Sequence, residues 1–167
     1  MSWFEKPAEA PARVPTEAIW AVCPSCKAYV AKEVWRAADK VCPKCNYHDR
    51  LSCRERVALL TDAGSFKELN AAVSFNDPLK FTDASGAYAA KAKATAEKTG
   101  VGESVLTGTA TIEGVPVVLG VMDFRFLGGS LGSGTGERIL LAAEKAVELK
   151  RPLIIVSASG GARMHEG

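Results

Sequence analysis

"VPVVLGVMDFRFLGGSLGSGTGERILLAAEKAVELKRPLIIVSAS" occupies residues 115–159, and its reading decides the fold. The first ten residues are a β-type apolar run, and "LIIVSAS" (153–159) is a second. Between them, "RILLAAEKAVEL" sets Ile139, Ala142, Ala143, Ala146 and Leu149 at helical spacing, and Arg151-Pro152 then turns the chain. Strand, helix and strand in that order predict a parallel pair joined by a right-handed crossover. "LIIVSAS" is apolar without alternation, the pattern of a strand buried on both faces. The class is α/β.

Upstream, "SVLTGTATI" (104–112) is a further β-type run, and Glu113-Gly114 is a two-residue hairpin signal between it and the next strand. Residues 74–100 read as a loop followed by an Ala/Lys-rich surface helix ending at Gly100. "RERVALLTDAGSFKEL" (54–69) predicts a helix with Val57, Leu59 and Leu60 on one face, stopping at the turn "DAGS". Downstream, "GGARMHEG" (160–167) reads as a loop entering a helix. A domain is not expected to stop there, so the chain reads as truncated.

With 167 residues there is room for one or two domains. Apolar residues make up 47% and charged residues 24%, and a net charge of +2 does not make the whole molecule a polyanion binder. The charge is uneven, because Trp20–Arg56 holds eight basic residues against four acids. The apolar runs are too short to span a bilayer. Pro7, Pro11 and Pro15 interrupt the N-terminal stretch, which therefore lacks a secretory apolar region. A reducing cytoplasm, or its organellar equivalent, is the expected compartment. Five cysteines in that setting point to metal rather than to disulfides.

Four of the five lie in "VCPSCKAYVAKEVWRAADKVCPKC" (22–45), as two Cys-x-x-Cys pairs. Thiolate pairs at this spacing bind Zn²⁺ tetrahedrally, and the predicted ligands are Cys23, Cys26, Cys42 and Cys45. His48 is a competing ligand candidate, and Cys53 is left over as a buried thiol. A closed four-sulfur site has no open position, so this metal is structural. Trp20, Tyr29, Trp35 and Tyr47 interleave with the basic residues. They either cover the ribbon hairpin, the favoured reading, or stack on nucleic-acid bases. A basic surface equally suits an anionic cofactor such as coenzyme A.

Two glycine loops follow the predicted strands. "FLGGSLGSGTGER" (126–138) contains neither dinucleotide nor P-loop spacing. Gly128–Gly132 does match G-x-S-x-G, but no Asp follows Ser130 and the one later histidine is His165, which disfavours a serine hydrolase. In "SASGGAR", a strand runs into Gly160-Gly161, with a helix expected from about Ala162. Bare amides at such a junction suit an oxyanion hole.

These blocks resemble a known family, the beta subunits of bacterial and plastid acetyl-CoA carboxylase carboxyltransferases. The resemblance runs from "MSWFEK" through "CPSC", "VCPKCNYH", "DAGSFKEL" and "NDPLKFTD" to "GTATIEGVPVVLGVMDFRFLGGSLGS", "GERI" and "PLIIVSASGGARMHEG", which is nearly the whole chain. It implies a Cys₄ zinc ribbon followed by an incomplete crotonase-like (ClpP/crotonase) ββα spiral domain. It also implies carboxyl transfer from carboxybiotin on a biotin carboxyl carrier protein to acetyl-CoA, giving malonyl-CoA, the first committed step of fatty acid biosynthesis. The implied partners are an alpha subunit in an α2β2 assembly, the carrier protein and biotin carboxylase, in a cytoplasm or a plastid stroma, with no membrane. Gly160 and Gly161 match the family's oxyanion block, with Ala162 adjacent, and Gly128, Gly129 and Gly132 match the block on the acyl-CoA side. No covalent enzyme intermediate is implied, so no nucleophile is needed. The chain departs from the pattern at His165, where glutamine is common, and at Gly134-Thr135, where bulkier residues are common. The expected organisation is a flexible leader over 1–19, a zinc ribbon over 20–56 and the carboxyltransferase domain over 57–167. The alternative function is nucleic-acid binding through the ribbon.

Overall fold

The computed structural model describes residues 19–167, so the expected leader lies outside the described residues except for Ile19. The chain divides at Arg50/Leu51 into two units. This is earlier than the boundary expected at 56. Ser52 opens a helix with a reciprocal capping box to Glu55, and the Cys53 amide donates to Asp123 at 3.0 Å, tying that helix to the second unit.

In the first unit, β1 (Trp20–Val22) pairs antiparallel with β2 (Tyr29–Ala31), and a short helix α1 (Lys32–Ala37) follows. The two cysteine pairs form the same knuckle twice. Lys27 and Asn46 donate back to the carbonyls of Cys23 and Cys42 at 3.0 and 2.8 Å. The amides of Cys23 and Cys42 donate onward to Ala28 and Tyr47. Lys27 and Asn46 both take positive φ, 60° and 57°, which closes each loop. The core is small: Cys23, Val30, Trp35 and Cys42, with Ala21 beside them. Of the four aromatics, Trp35 covers this core, whereas Trp20, Tyr29 and Tyr47 are 41%, 67% and 39% exposed.

The second unit is built on one sheet. Helix α2 (Cys53–Leu60) leads to β3 (Lys67–Leu69), a strand that the sequence pattern hid behind the expected helix. A two-residue ladder of β4 (Thr82–Asp83) with β5 (Gly86–Ala87) precedes α3 (Tyr88–Thr99), which ends at Gly100 as expected. Then come β6 (Val105–Ile112), β7 (Val115–Met122), α4 (Ser133–Leu149) and β8 (Leu153–Val156). The sheet order is β3-β6-β7-β8, antiparallel except for the parallel pair β7–β8. Glu113 (φ 49°) and Gly114 (φ 78°) form the expected hairpin turn.

Alternation along β7 serves two cores. Val117, Leu119 and Val121 pack with Cys53, Val57, Leu106 and Phe126, while Val118 packs with Ala142 and Ala146 of α4. Two apolar expectations fail. Leu59 is exposed, because α2 buries only a narrow stripe through Cys53 and Val57. Strand β8 is not buried on both faces: Leu153, Ile154 and Ile155 remain 36–38% exposed, because β8 is the sheet edge. Among the described residues, no helix is long and apolar enough to cross a membrane.

Candidate metal centre and glycine-loop site

The four sulfurs of Cys23, Cys26, Cys42 and Cys45 lie within 4.8 Å of one another. Cys23 to Cys45 measures 3.7 Å and Cys26 to Cys42 measures 3.8 Å, with all four thiols free of disulfide. A tetrahedron with metal–sulfur bonds of about 2.3 Å has edges of about 3.8 Å, so the spacing suits a four-thiolate ion. Burial pushes the Cys42 thiol up, but hydrogen bonds from the Lys44 and Cys45 amides outweigh it and lower its pKa to about 7. His48 is the bridge partner of Val41 and is not part of the sulfur cluster.

The glycine blocks lie in the loops that follow β7 and β8, at the C-terminal ends of the two parallel strands, where α/β sheets commonly bind ligands. The structure brings these loops together. The Gly160 amide donates to the Gly128 carbonyl at 2.9 Å, and a Cβ on Gly129 would lie 2.0 Å from the Ala158 carbonyl oxygen. Leu131 and Ala162 form a parallel bridge: the Leu131 amide donates to Gly161 and the Arg163 amide to Leu131, both at 2.9 Å. In such a bridge, the amide of the central residue points away from its partner. Ala162 is an exposed residue, and its amide points away from Leu131.

The helix expected from Ala162 is absent. Residues 160–163 form no helix, only the isolated bridge at Ala162, and a single 3₁₀ turn, Met164–Glu166, follows. The bridge to Leu131 takes the Gly161 carbonyl, which a helix starting at Ala162 would use for its first intrahelical bond. Gly161 takes φ +119°, a conformation that side chains disfavour, and its amide donates to the Ser159 hydroxyl at 3.1 Å.

Behind the loops lies a buried polar cluster that the sequence reading missed. Arg163 and Glu103 pair with both side chains fully buried, at 2.5 Å (Nη2–Oε1) and 3.0 Å (Nη1–Oε2). Glu103 also accepts from the Ser104 amide and the Thr135 hydroxyl. Tyr88 donates to Glu166, whose other oxygen accepts from the Ser133 amide at the start of α4. Burial works against the Arg163 charge, but bonding to Glu103 outweighs it and raises the pKa. Burial is also the largest influence on Glu166, and it is overcome by bonds from Tyr88 and Ser133, which leave the carboxyl below its usual range. His165 stacks on Tyr88 and meets Phe81 edge-on, so an aromatic ring occupies this departure from the family pattern. At Gly134, a Cβ would lie 2.5 Å from the Ser74 carbonyl, so this chain has no room for the bulkier residue.

Ser130 is not set up as a nucleophile. Its hydroxyl accepts from Arg163 Nε at 3.0 Å, and a guanidinium cannot act as the base. A cavity of about 370 Å³ lies elsewhere, lined by Val57, Ala58, Phe66 and Leu106 among others, and shares no residue with the glycine loops.

A ββα unit whose adjacent parallel strands end in interlocked glycine loops, behind a four-cysteine ribbon, is the crotonase-like architecture of carboxyl transferases. The carboxyl transferase domain model matches residues 46–167, and the chain belongs to that family. It is 43% identical over 151 residues to an acetyl-coenzyme A carboxylase carboxyl transferase subunit beta from Synechococcus sp. (strain WH7803), covering 90% of this chain and 51% of the relative. A protein of the same description from Pelotomaculum thermopropionicum is 48% identical over 151 residues, covering 90% and 52%. Thus the chain spans about half the length of the curated relatives it matches. Among solved structures, a transcarboxylase 12S hexamer with methylmalonyl-coenzyme A and methylmalonic acid bound aligns over 71% of this chain and 21% of that one. The TM-score is 0.56 and the identity 30%.

Proposed function

We propose that this chain forms the acyl-CoA side of an acetyl-CoA carboxyltransferase, working with an alpha subunit, a biotin carboxyl carrier protein and a biotin carboxylase in a cytoplasm or plastid stroma. The observation that carries the reading is the pair of interlocked glycine loops, with the Ala162 amide turned away from Leu131 and no nucleophile. The N–CO₂ bond of carboxybiotin breaks to give CO₂ and the biotin ureide anion. That anion takes an α-proton from the acetyl thioester, and the resulting enolate carbon bonds to CO₂ to give malonyl-CoA. The protein's task is to hold the enolate oxygen. Two amides suit it: that of Ala162 points away from Leu131, and that of Gly161 is released when the exposed Ser159 hydroxyl turns to solvent. The Gly160 amide is committed to Gly128 and so shapes the loop rather than binding the oxygen. Gly128, Gly129 and Gly132 keep the facing loop close for the acyl-CoA. The four thiolates hold a structural Zn²⁺ with no catalytic step. The test is malonyl-CoA formation from carboxylated carrier and acetyl-CoA by the full-length chain, with and without an alpha subunit. Product should form only with both, and a complete assembly that makes none would overturn the reading.

A second reading concerns the ribbon. Trp20, Val22 and Tyr29 share one exposed face of the β1–β2 ladder, on a unit rich in basic residues. We infer that this face can take single-stranded nucleic acid by stacking. A salt titration with wild type and Tyr29→Ala separates stacking, which the variant loses at every salt concentration, from simple charge attraction, which it keeps.

A further inference from the structure

We propose that Arg163 is the positioning residue of this site: anchored on Glu103, it holds the loops after β7 and β8 at the spacing the thioester oxygen requires. The proposal rests on the carboxyl-transfer reading above. Its basis is the way the five guanidinium donors are spent. Nη1 and Nη2 fork onto the two Glu103 oxygens. Nη2 also reaches the Ser130 carbonyl at 2.8 Å, and Nε reaches the Ser130 hydroxyl at 3.0 Å. Nη1 additionally meets Tyr88 and Glu166, at 3.2 and 3.1 Å. One side chain from the β8 loop thus grips both polar groups of Ser130 in the β7 loop, while its own backbone bonds Leu131.

The grip needs a planar fork. A lysine ammonium offers three donors at one point and cannot span Glu103 and Ser130 together. Gly132 lies against the guanidinium, where a Cβ would be 2.5 Å from Nη1. Phe126 lies 5.4 Å beneath it. A buried ion pair is a poor source of stability beside well-packed apolar side chains, so what the pair supplies here is geometry. The Arg163 side chain has no exposed surface, so it acts on the substrate through the loops and not by contact.

The experiment uses the full-length chain assembled with its alpha subunit, carrying Arg163→Lys, which keeps a cation beside Glu103. Misplacing reacting groups by about 1 Å can cost about 10²-fold, so kcat per folded complex should fall by about that factor with KM for acetyl-CoA little changed. Amide hydrogen exchange should quicken at 128–131 and 160–163 and stay unchanged in β6 and β7, a pattern that general loosening does not give. Wild-type kcat per folded complex, or exchange that quickens evenly across the domain, overturns the proposal. Should Arg163→Lys not fold, Glu103→Gln weakens the anchor without changing its shape; the same local exchange supports the clamp and wild-type exchange overturns it. If the wild-type assembly makes no malonyl-CoA, the functional reading fails, and the exchange measurements still decide whether the clamp exists.

Discussion

In the ribbon unit, two of the four clustered cysteines, Cys23 and Cys42, are buried, and their buried apolar company is little more than Val30 and Trp35. In the second unit, β6 and β7 bury a continuous apolar layer that includes Val105, Leu106, Val117, Leu119 and Val121; the buried charges Glu103, Asp123 and Arg163 lie in loops, and Arg138 lies in α4. The first unit has four thiols placed to take a metal ion and little apolar core of its own. The second has an apolar core of its own and sets its Arg163–Glu103 pair behind the loops. Removing a ligand should therefore abolish one fold outright, whereas removing a charge should blunt a site and leave its scaffold standing.

The largest effect should come from the metal. Binding to a four-cysteine site supplies about 10–16 kcal/mol, so Cys42→Ser or a strong chelator should unfold the ribbon. By NMR, residues 19–50 should lose dispersion while the β6–β7 signals stay, and purified protein should carry one zinc per chain. A chelated ribbon that keeps its dispersed spectrum would break the contrast between the units.

Gly161→Val comes next. Its φ of +119° disfavours a β-branched residue, and the candidate donor amide would shift. In the full assembly, kcat should fall by about 10²–10³-fold, the scale for one lost oxyanion donor. Zinc content and assembly should be unaffected; an assembled variant with near-normal kcat would remove Gly161 from the site.

Asp123 tests the second unit's use of charge for stability. Burial acts to raise its pKa, but the Arg125 fork and the Cys53 amide hold it at about 2. A carboxyl depressed in the folded state stabilises above its unfolded value near 4 and loses that contribution as the pH falls toward 2. Asp123→Asn should cost about 1–3 kcal/mol at neutral pH and flatten the acid limb of the stability curve between pH 4 and 2. Denaturant melts across that range would show it.

The smallest effect is expected at Ser130. Arg163 retains the Ser130 carbonyl when the hydroxyl is removed, so Ser130→Ala should keep most of the carboxyltransferase activity. An active-site phosphonate should leave Ser130 unlabelled, and stoichiometric labelling would restore a nucleophile to a site that lacks one.

What the sequence made legible was local. Two Cys-x-x-Cys spacings, the Glu113-Gly114 turn and the 3.6-residue period of α4 all state their structure within a few residues. What stayed hidden was set by distance along the chain. Glu103 and Arg163 look like ordinary surface charges until the sheet brings together positions sixty residues apart. β8 reads as a central strand because its composition cannot say whether a neighbour exists, and its exposure follows from its place at the sheet edge. The missing helix at Ala162 has the same origin, since the Gly161 carbonyl and the Arg163 amide on either side of it bond Leu131, thirty-one residues before Ala162.

The edge position of β8 also bears on what another chain could gain by pairing with this sheet. Leu153–Val156 pairs with β7 on one side and leaves its other row of peptide groups without a strand partner among the described residues. With four residues, and with Arg151-Pro152 directly before it, this is one of the very short edges that limit strand addition. A strand added here would gain only a few main-chain bonds, so a partner on this edge must draw its affinity from side chains as well.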